Sequence, residues 1–399
     1  MTRKGVWDLQ QTRDKYLQSL WANDTNLYGW GYNAHGTVGD NTRSTTQGSS
    51  PVQIGTNTNW RSLDYKVGYY SGYFMLATKT DGTLWSWGQN GYGQLGQNQN
   101  ETGIYQISSP TQIGSGTDWS NEISRGNTFA SAIKTDGTLW MWGQNQTATL
   151  GQNSKTNYSS PVQVPGTWSK AYTGGGFAAG IKTDNTLWMW GYNSSGQLGQ
   201  NEVSPTFGGY SSPVQIPGTW SKAHVGNKHT LAIKTDGTLW AWGDGSAGPL
   251  GQNQPNTADY SSPVQIPGTD WSDCWASEAR STAITTNGEL FIWGANTKGL
   301  LGQNQAQPAY DNASSPIQIA GTTWSTFHFI GNAGWRALKT DGTLWGCGQL
   351  NYGAKLHETV PSDGVSSPIQ LGSDATWDSI TSWGYGTHAL KTSLTPSQL

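Results

Sequence analysis

A pentad, L-W-x-W-G, begins at Leu84, Leu139, Leu187 and Leu239, and variants of it begin at Leu27 (L-Y-G-W-G), Leu290 (L-F-I-W-G) and Leu344 (L-W-G-C-G). The seven starts lie 48 to 57 residues apart. A repeat of this period dictates architecture ahead of any local propensity, because one unit cannot bury both of its faces alone. Three further landmarks follow each pentad in fixed order. A glycine-rich segment comes first, as in residues 93–98 and 196–201 (G-Q-L-G-Q-N). An S-P-V-Q-I-like run follows, with its proline at Pro51, Pro110, Pro161, Pro213, Pro263, Pro316 and Pro368. A lone tryptophan comes last, at Trp60, Trp119, Trp168, Trp220, Trp271, Trp324 and Trp377.

The unit then ends on A-[IL]-K-T-D-G and runs straight into the next pentad. Asp81-Gly82, Asp136-Gly137, Asp236-Gly237 and Asp341-Gly342 suit a two-residue type I′ turn, with Asp184-Asn185 and Asn287-Gly288 as chemically similar substitutes. Each such turn is expected to join two antiparallel strands, giving four short strands per unit. Gly, Pro, Asn and Ser interrupt every run and leave no helical periodicity inside the units. The expected fold is all-β: a seven-bladed β-propeller of four-stranded blades. The last copy lacks a pentad strand, while the first begins with a pentad that has no A-I-K-T strand before it. Residues 27–31 are therefore expected to pair with residues 389–392 and close the ring.

Only 34% of the residues are hydrophobic, yet 23 are tryptophan. Eighteen of these fall in the repeat frame, so they are read as core. Strand alternation puts Trp85 and Trp87 on one side of their strand and Leu84 on the other. Cys347 stands where a second pentad tryptophan is expected, which predicts looser packing there. Cys274 and Cys347 are too few and too far apart for a disulfide framework or a zinc motif and are read as core residues.

The order [TS]-L-W-x-W-G-x-N-x-x-G-Q-L-G, then S-P-V-Q-I, then G-x-x-[HF]-x-x-A-[IL]-K-T-D-G resembles the regulator of chromosome condensation repeat, whose members are seven-bladed propellers. The resemblance covers about residues 22–399. The founding eukaryotic member exchanges guanine nucleotide on a small GTPase and docks on chromatin. No basic tail supports that here, and the family's histidine in the last element survives only as His229, with Phe74, Phe129, Phe177, Arg280, Gly334 and Gly386 at the matching places. Exchange is not expected.

The first 21 residues, which include G-V-W-D-L-Q-Q-T-R-D-K-Y-L-Q-S-L-W, are similar to leader segments on structural proteins of bacteriophages, notably marine ones. Asp8 with Gln11 makes a capping-box-like start, and a short amphipathic helix is expected over residues 9–20. Trp7, Leu9, Tyr16, Leu17, Leu20 and Trp21 would form an assembly anchor. The chain thus divides into an anchoring segment, 1–21, and a propeller, 22–399.

A net charge of -3 argues against a nucleic-acid partner. No apolar run approaches the roughly 18 residues of a membrane helix, and no signal peptide is evident. His35, His224, His229, His328, His357 and His388 show no H-x-x-x-H or H-E-x-x-H spacing, and neither a Walker loop nor a G-x-S-x-G elbow appears. No metal, cofactor or catalytic residue is expected. The glycine-rich segments and the Lys and Asp of K-T-D-G recur in nearly every copy, so they read as turns and solvated turn charges.

Loops offer better candidates, since insertions in a repeat fold collect on one face. Tyr69, Tyr70, Tyr73, Lys228, Arg280, Trp335, Arg336, Trp383 and Tyr385 vary between copies ahead of the A-I-K-T strand. Tyr105, Phe207 and Tyr310 stand in the segments before S-S-P, where Tyr158, Tyr210 and Tyr260 hold one fixed place suggestive of local packing. Aromatic rings among amides suit a glycan or a polar protein surface. The leading expectation is a noncatalytic phage virion protein, tail- or surface-associated and extracellular after host lysis. It would bind other virion proteins through its N-terminal segment and a host-surface glycan or protein through the ring. The alternative is a soluble bacterial protein-binding propeller, an enzyme inhibitor or interaction scaffold, similar to the β-lactamase inhibitor that shares these repeats.

Overall fold

The structure, a computed structural model, describes residues 24–66, 72–99, 103–204, 208–254, 258–304, 311–331, 334–348, 364–383 and 386–393. They form seven antiparallel sheets. In one blade, Trp168–Thr173 pairs with Phe177–Lys182, then Leu187–Tyr192, then Gly209–Ile216. Each blade is named below by the lone tryptophan that opens its first strand. Those first strands touch one another from blade to blade, which puts them at the centre of the ring and the S-P-V-Q-I strands at its rim. The Trp119 blade gains a fifth strand, Tyr65–Lys66, parallel to its inner strand. Among the described residues the single helical element is the turn Thr297–Gly299, and no helix is long and apolar enough to cross a membrane. The helix expected over residues 9–20, and with it the anchor, lies outside the described residues.

The ring closes as the repeat frame requires. Asp24–Asn33 pairs with Gly386–Ser393, and Ser44–Gln53 and Trp377–Trp383 complete the composite blade. The register differs from expectation: Leu27 lies opposite Leu390 and Gly31 opposite Gly386, while Thr392 faces Thr25. The strand starts three residues ahead of the pentad, so the pairing extends beyond it.

The Asp-Gly turn also differs from the two-residue form. Gly82 N–H donates to the Lys79 carbonyl and Lys79 N–H to the Thr83 carbonyl, both at 3.0 Å, so the loop holds Thr80, Asp81 and Gly82. Gly82 alone has a left-handed φ, 77°, and Asn185 fills the same role at 65°. This is a type I turn followed by a bulge, which needs a left-handed residue only at its last position. The longer loop leaves the Asp carboxylate free to turn inward. Asp136 Oδ1 accepts from Thr138 N–H at 2.9 Å and Thr138 Oγ1–H at 2.7 Å, and Thr138 Oγ1 in turn accepts from Trp140 Nε1–H at 2.9 Å. The same Trp–Thr–Asp chain is built at Asp81, Asp184, Asp236 and Asp341. Hydrogen bonds from Thr138 and its counterparts hold the Asp136, Asp184, Asp236 and Asp341 carboxyls below the usual carboxylate range.

Tryptophans supply most of the large core. Ten of the eleven largest fully buried side chains among the described residues are tryptophans. Trp60 meets Trp85 and Trp87 at 6.0 and 6.3 Å between ring centroids, while Leu84 packs with Trp119 and Trp142 of the next blade. Alternation therefore feeds both interfaces of every blade.

A polar latch fixes these interfaces. Asn90 Oδ1 accepts from Leu95 N–H at 3.0 Å and shapes the glycine-rich loop, whose Gln94 carbonyl accepts from Trp142 Nε1–H of the following blade at 2.9 Å. Asn145, Asn193 and Asn296 hold their loops alike, and Trp87, Trp190, Trp242 and Trp293 reach the matching carbonyls. In the Trp324 blade Trp335 takes over. It stands on the neighbouring strand directly opposite Cys347, and its indole N–H donates to the Leu300 carbonyl at 2.9 Å. The large and small residues have exchanged strands, so the looser packing expected at Cys347 is not found: both side chains are fully buried.

Candidate functional site

The residues anticipated for binding fall into three groups. Tyr69, Tyr70, Phe207, Tyr310 and Tyr385, and the side chain of Trp383, lie outside what the structure describes. Tyr73, Tyr105 and Lys228 reach the loop face. Tyr73 and Tyr105 flank the end of one strand, their carbonyls accepting from Gln89 and Asn90 N–H at 2.7 and 2.6 Å. Tyr73 packs on His35 at 4.7 Å, Tyr105 is 49% exposed, and Lys228 holds the equivalent of the Tyr73 position three blades on.

Arg280, Trp335 and Arg336 are corrected, being 2%, 0% and 0% exposed. They lie on the second strands of their blades, Arg280–Thr285 and Gly334–Lys339, whose residues alternate into the blade faces, so variation there serves packing. Arg280 replaces the Phe129-type core residue and donates to the Ala295 carbonyl at 2.9 Å and Thr297 Oγ1 at 3.0 Å. Arg336 lies opposite Gly346, where an added Cβ would come within 2.6 Å of its guanidinium, and burial lowers its pKa to about 9. Tyr158, Tyr210 and Tyr260 pack against the cores, as their fixed place suggested.

The K-T-D-G lysine is likewise no free turn charge. Lys182 Nζ sits 5.2 Å from the Trp168 ring and 3.8 Å from Trp188, and Lys79, Lys134, Lys234 and Lys339 bridge matching indole pairs. A cation over indole faces is attracted by the ring quadrupole.

Charged groups converge at the centre, which the scattered sequence positions did not reveal. Glu122, Lys170, Lys222 and Asp273 occupy one register position on the inner strands of four successive blades, as shown by Lys170 opposite Ile181, Lys222 opposite Ile233 and Asp273 opposite Ile284. Glu122 joins them through an extra residue in its strand, which shifts the register between Trp119 and Ile123. Lys222 Nζ pairs with Asp273 Oδ2 at 2.6 Å, both side chains 34% exposed, and Lys170 Nζ donates to the Ser221 carbonyl at 2.7 Å. Burial, then the adjacent Lys222 charge, lowers the Lys170 pKa, and burial raises that of Glu122. The signal was present in W-S-K-A, W-S-K-A and W-S-D-C, but only the bulge aligns Glu122 with them.

At the other end of the inner strands Arg125 and Asp64 form a buried ion pair. Arg125 also donates to the Gly72 and Ser382 carbonyls at 2.8 Å each, and Thr381 Oγ1–H to Asp64 Oδ1 at 2.9 Å. The network joins the Trp60 and Trp119 blades to the composite one. His229 and His388 are buried, their rings beside Ser281 Oγ at 3.0 Å and the Val38 carbonyl at 2.9 Å. No cluster of three or more His, Cys, Asp or Glu fit to hold a metal occurs among the described residues.

The Regulator of chromosome condensation (RCC1) repeat is matched at residues 81–133, 136–181 and 184–233, and a second description of the same repeat at 67–94, 169–197 and 224–248. The human E3 ubiquitin-protein ligase HERC2 is 28% identical over 153 residues, 37% of this chain and 3% of that protein. The ultraviolet-B receptor UVR8 of Arabidopsis thaliana is 26% identical over 295 residues, 69% of this chain and 62% of that protein. The chain thus spans under two thirds of either relative. Among solved structures, Prp20p of Saccharomyces cerevisiae superposes with a TM-score of 0.79 at 16% identity, covering 95% of this chain and 94% of that one.

Proposed function

We propose that this chain, which carries RCC1 repeats closed into a seven-bladed propeller, is a noncatalytic protein-binding scaffold. The observation that carries the reading is the row of Glu122, Lys170, Lys222 and Asp273 at the ring centre. Four half-buried charges of both signs, preset by the fold, suit recognition of a polar partner surface. Both lysine ammoniums are already engaged, Lys222 by Asp273 and Lys170 by the Ser221 carbonyl, which suits docking better than proton transfer. Prp20p has binding properties toward Gsp1p and histones, a precedent for protein partners on this fold.

The finer placement is on a phage virion, with residues 1–21 as the anchor and the loop face toward other virion proteins or a host surface. It rests on the sequence of that segment. A mass-spectrometric inventory of purified particles should find the full chain, and deletion of residues 1–21 should abolish incorporation while the ring still folds. Incorporation of the truncated chain contradicts the anchor. For the scaffold itself, a partner cross-linked to the full chain should be lost on K170E/K222E double charge reversal, with the near-ultraviolet circular dichroism showing that the ring still folds. Undiminished cross-linking overturns the central docking position.

A further inference from the structure

Six blades place their own lysine over the lone tryptophan: Lys79, Lys134, Lys182, Lys234, Lys339 and Lys391 lie 4.7 to 5.6 Å from the ring centroids. The Trp271 blade changes the whole set together. Thr285 stands for the lysine, Asn287 for the aspartate, Glu289 for the threonine and Phe291 for the second aromatic. The aromatic corner is nevertheless kept. Phe291 meets Trp271 edge-to-face at 5.3 Å and 76°, as Trp240 meets Trp220 at 6.4 Å and 76°.

The groove of the sister blades persists here without its lysine. A groove of about 470 Å³ opens between the Trp220 and Trp271 blades, with Trp271, Phe291, Thr285, Glu289, Asp270 and Pro316 in its wall. The corresponding grooves beside Lys134 and Lys182 hold about 430 and 320 Å³. Charge changes sign as well. Where the Trp168 groove contains Lys182, this one contains the carboxylates of Glu289 and Asp270, with no Lys, Arg or His in its lining. Glu289 Oε1 accepts from Gln318 Nε2–H at 3.3 Å and its Oε2 from Thr285 Oγ1–H at 3.4 Å.

We propose that this groove receives a lysine side chain from a partner polypeptide, its ammonium against Trp271 and Phe291 and balanced by Glu289. The repeat itself specifies the occupant: the same corner in six sister blades is built for a primary ammonium on an aliphatic stem, and here the ammonium must come from outside. An anion is opposed by both carboxylates, and an uncharged stem leaves them unbalanced. The assignment deepens the scaffold reading and rests on it.

The test is ligand-observed NMR on the full chain with acetyl-Gly-Lys-Gly-amide and its norleucine counterpart as probes. Saturation transfer to the lysine ε-methylene is expected, with none to norleucine. E289Q should weaken binding by about two- to fivefold, the scale of a solvent-accessible charge contact. T285K, which rebuilds the sister-blade clamp, should abolish binding with the near-ultraviolet circular dichroism unchanged. Equal response to norleucine, or undiminished binding by folded T285K, overturns the assignment. A partner that stays sensitive to K170E/K222E while the lysine peptide fails to bind removes the groove and keeps the scaffold. Peptide binding with no such partner removes the scaffold reading instead.

Discussion

His229 and His388 show what burial does to single residues in this ring. Burial lowers their pKa values to about 4 and about 3, against 6.5 for an exposed imidazole. Below pH 6.5 the unfolded chain takes up protons that the native chain refuses. The stabilisation is therefore complete above pH 6.5 and is lost as pH falls toward 4 and then 3. His229 stands where Phe177 stands in another blade, so His229→Phe should keep the fold. Denaturant unfolding at pH 7.5 and 4.5 should show the loss of stability between the two pH values reduced by roughly 2 to 3 kcal/mol in that variant. The exchange between Trp335 and Cys347 is equally local. Trp335→Ala should cost about 3 to 5 kcal/mol, while Trp335→Thr combined with Cys347→Trp should recover most of it, since Thr230 already stands opposite Trp242. Both residues were legible as sequence departures. Their relation was not, because only pairing register shows that two positions twelve apart are one cross-strand site.

At the level of the strand and its hairpin, the pentad's middle residue is set by the residue across from it. It is glycine in two copies, Gly29 and Gly346, and those lie opposite His388 and Arg336. A Cβ at Gly29 would approach His388 Nε2 to 2.7 Å. Elsewhere Met141, Met189, Ala241 and Ile292 face Ser131, Ala179, Leu231 and Thr282, which leave room. Gly346→Met should destabilise by about 1 to 3 kcal/mol through overpacking, and Arg336→Ala in the same chain should relieve it, as thermal unfolding of the two variants would show. The sequence made the strands and their order plain because the landmarks recur sevenfold. It misjudged the Asp-Gly loop by one residue, since a dipeptide does not reveal that Asp also binds the Thr hydroxyl two positions on. It also left the Glu122–Lys170–Lys222–Asp273 row unseen, for a bulge displaces Glu122 from the common spacing. The groove beside Trp271 required both the clamp geometry and its replacement to be visible.

For the molecule as a whole, the decisive contacts are those that join the two ends of the chain. The composite blade supplies backbone pairing, and Arg125 adds a buried cross-brace from the Trp119 blade to Asp64 and on to Ser382. Arg125→Met should cost about 3 to 5 kcal/mol because it leaves the Asp64 carboxylate buried without its cation, whereas Arg125→Met with Asp64→Leu should cost less; denaturant midpoints would compare the two. Closure itself can be read by chemistry. Thr25 and Thr392 are direct cross-strand partners on the first and last strands. In a Thr25→Cys/Thr392→Cys chain, mild oxidation followed by peptide mapping should yield an intramolecular disulfide between these two positions in folded monomer. Cysteines that remain reduced, or that link only separate molecules, would contradict the closed ring.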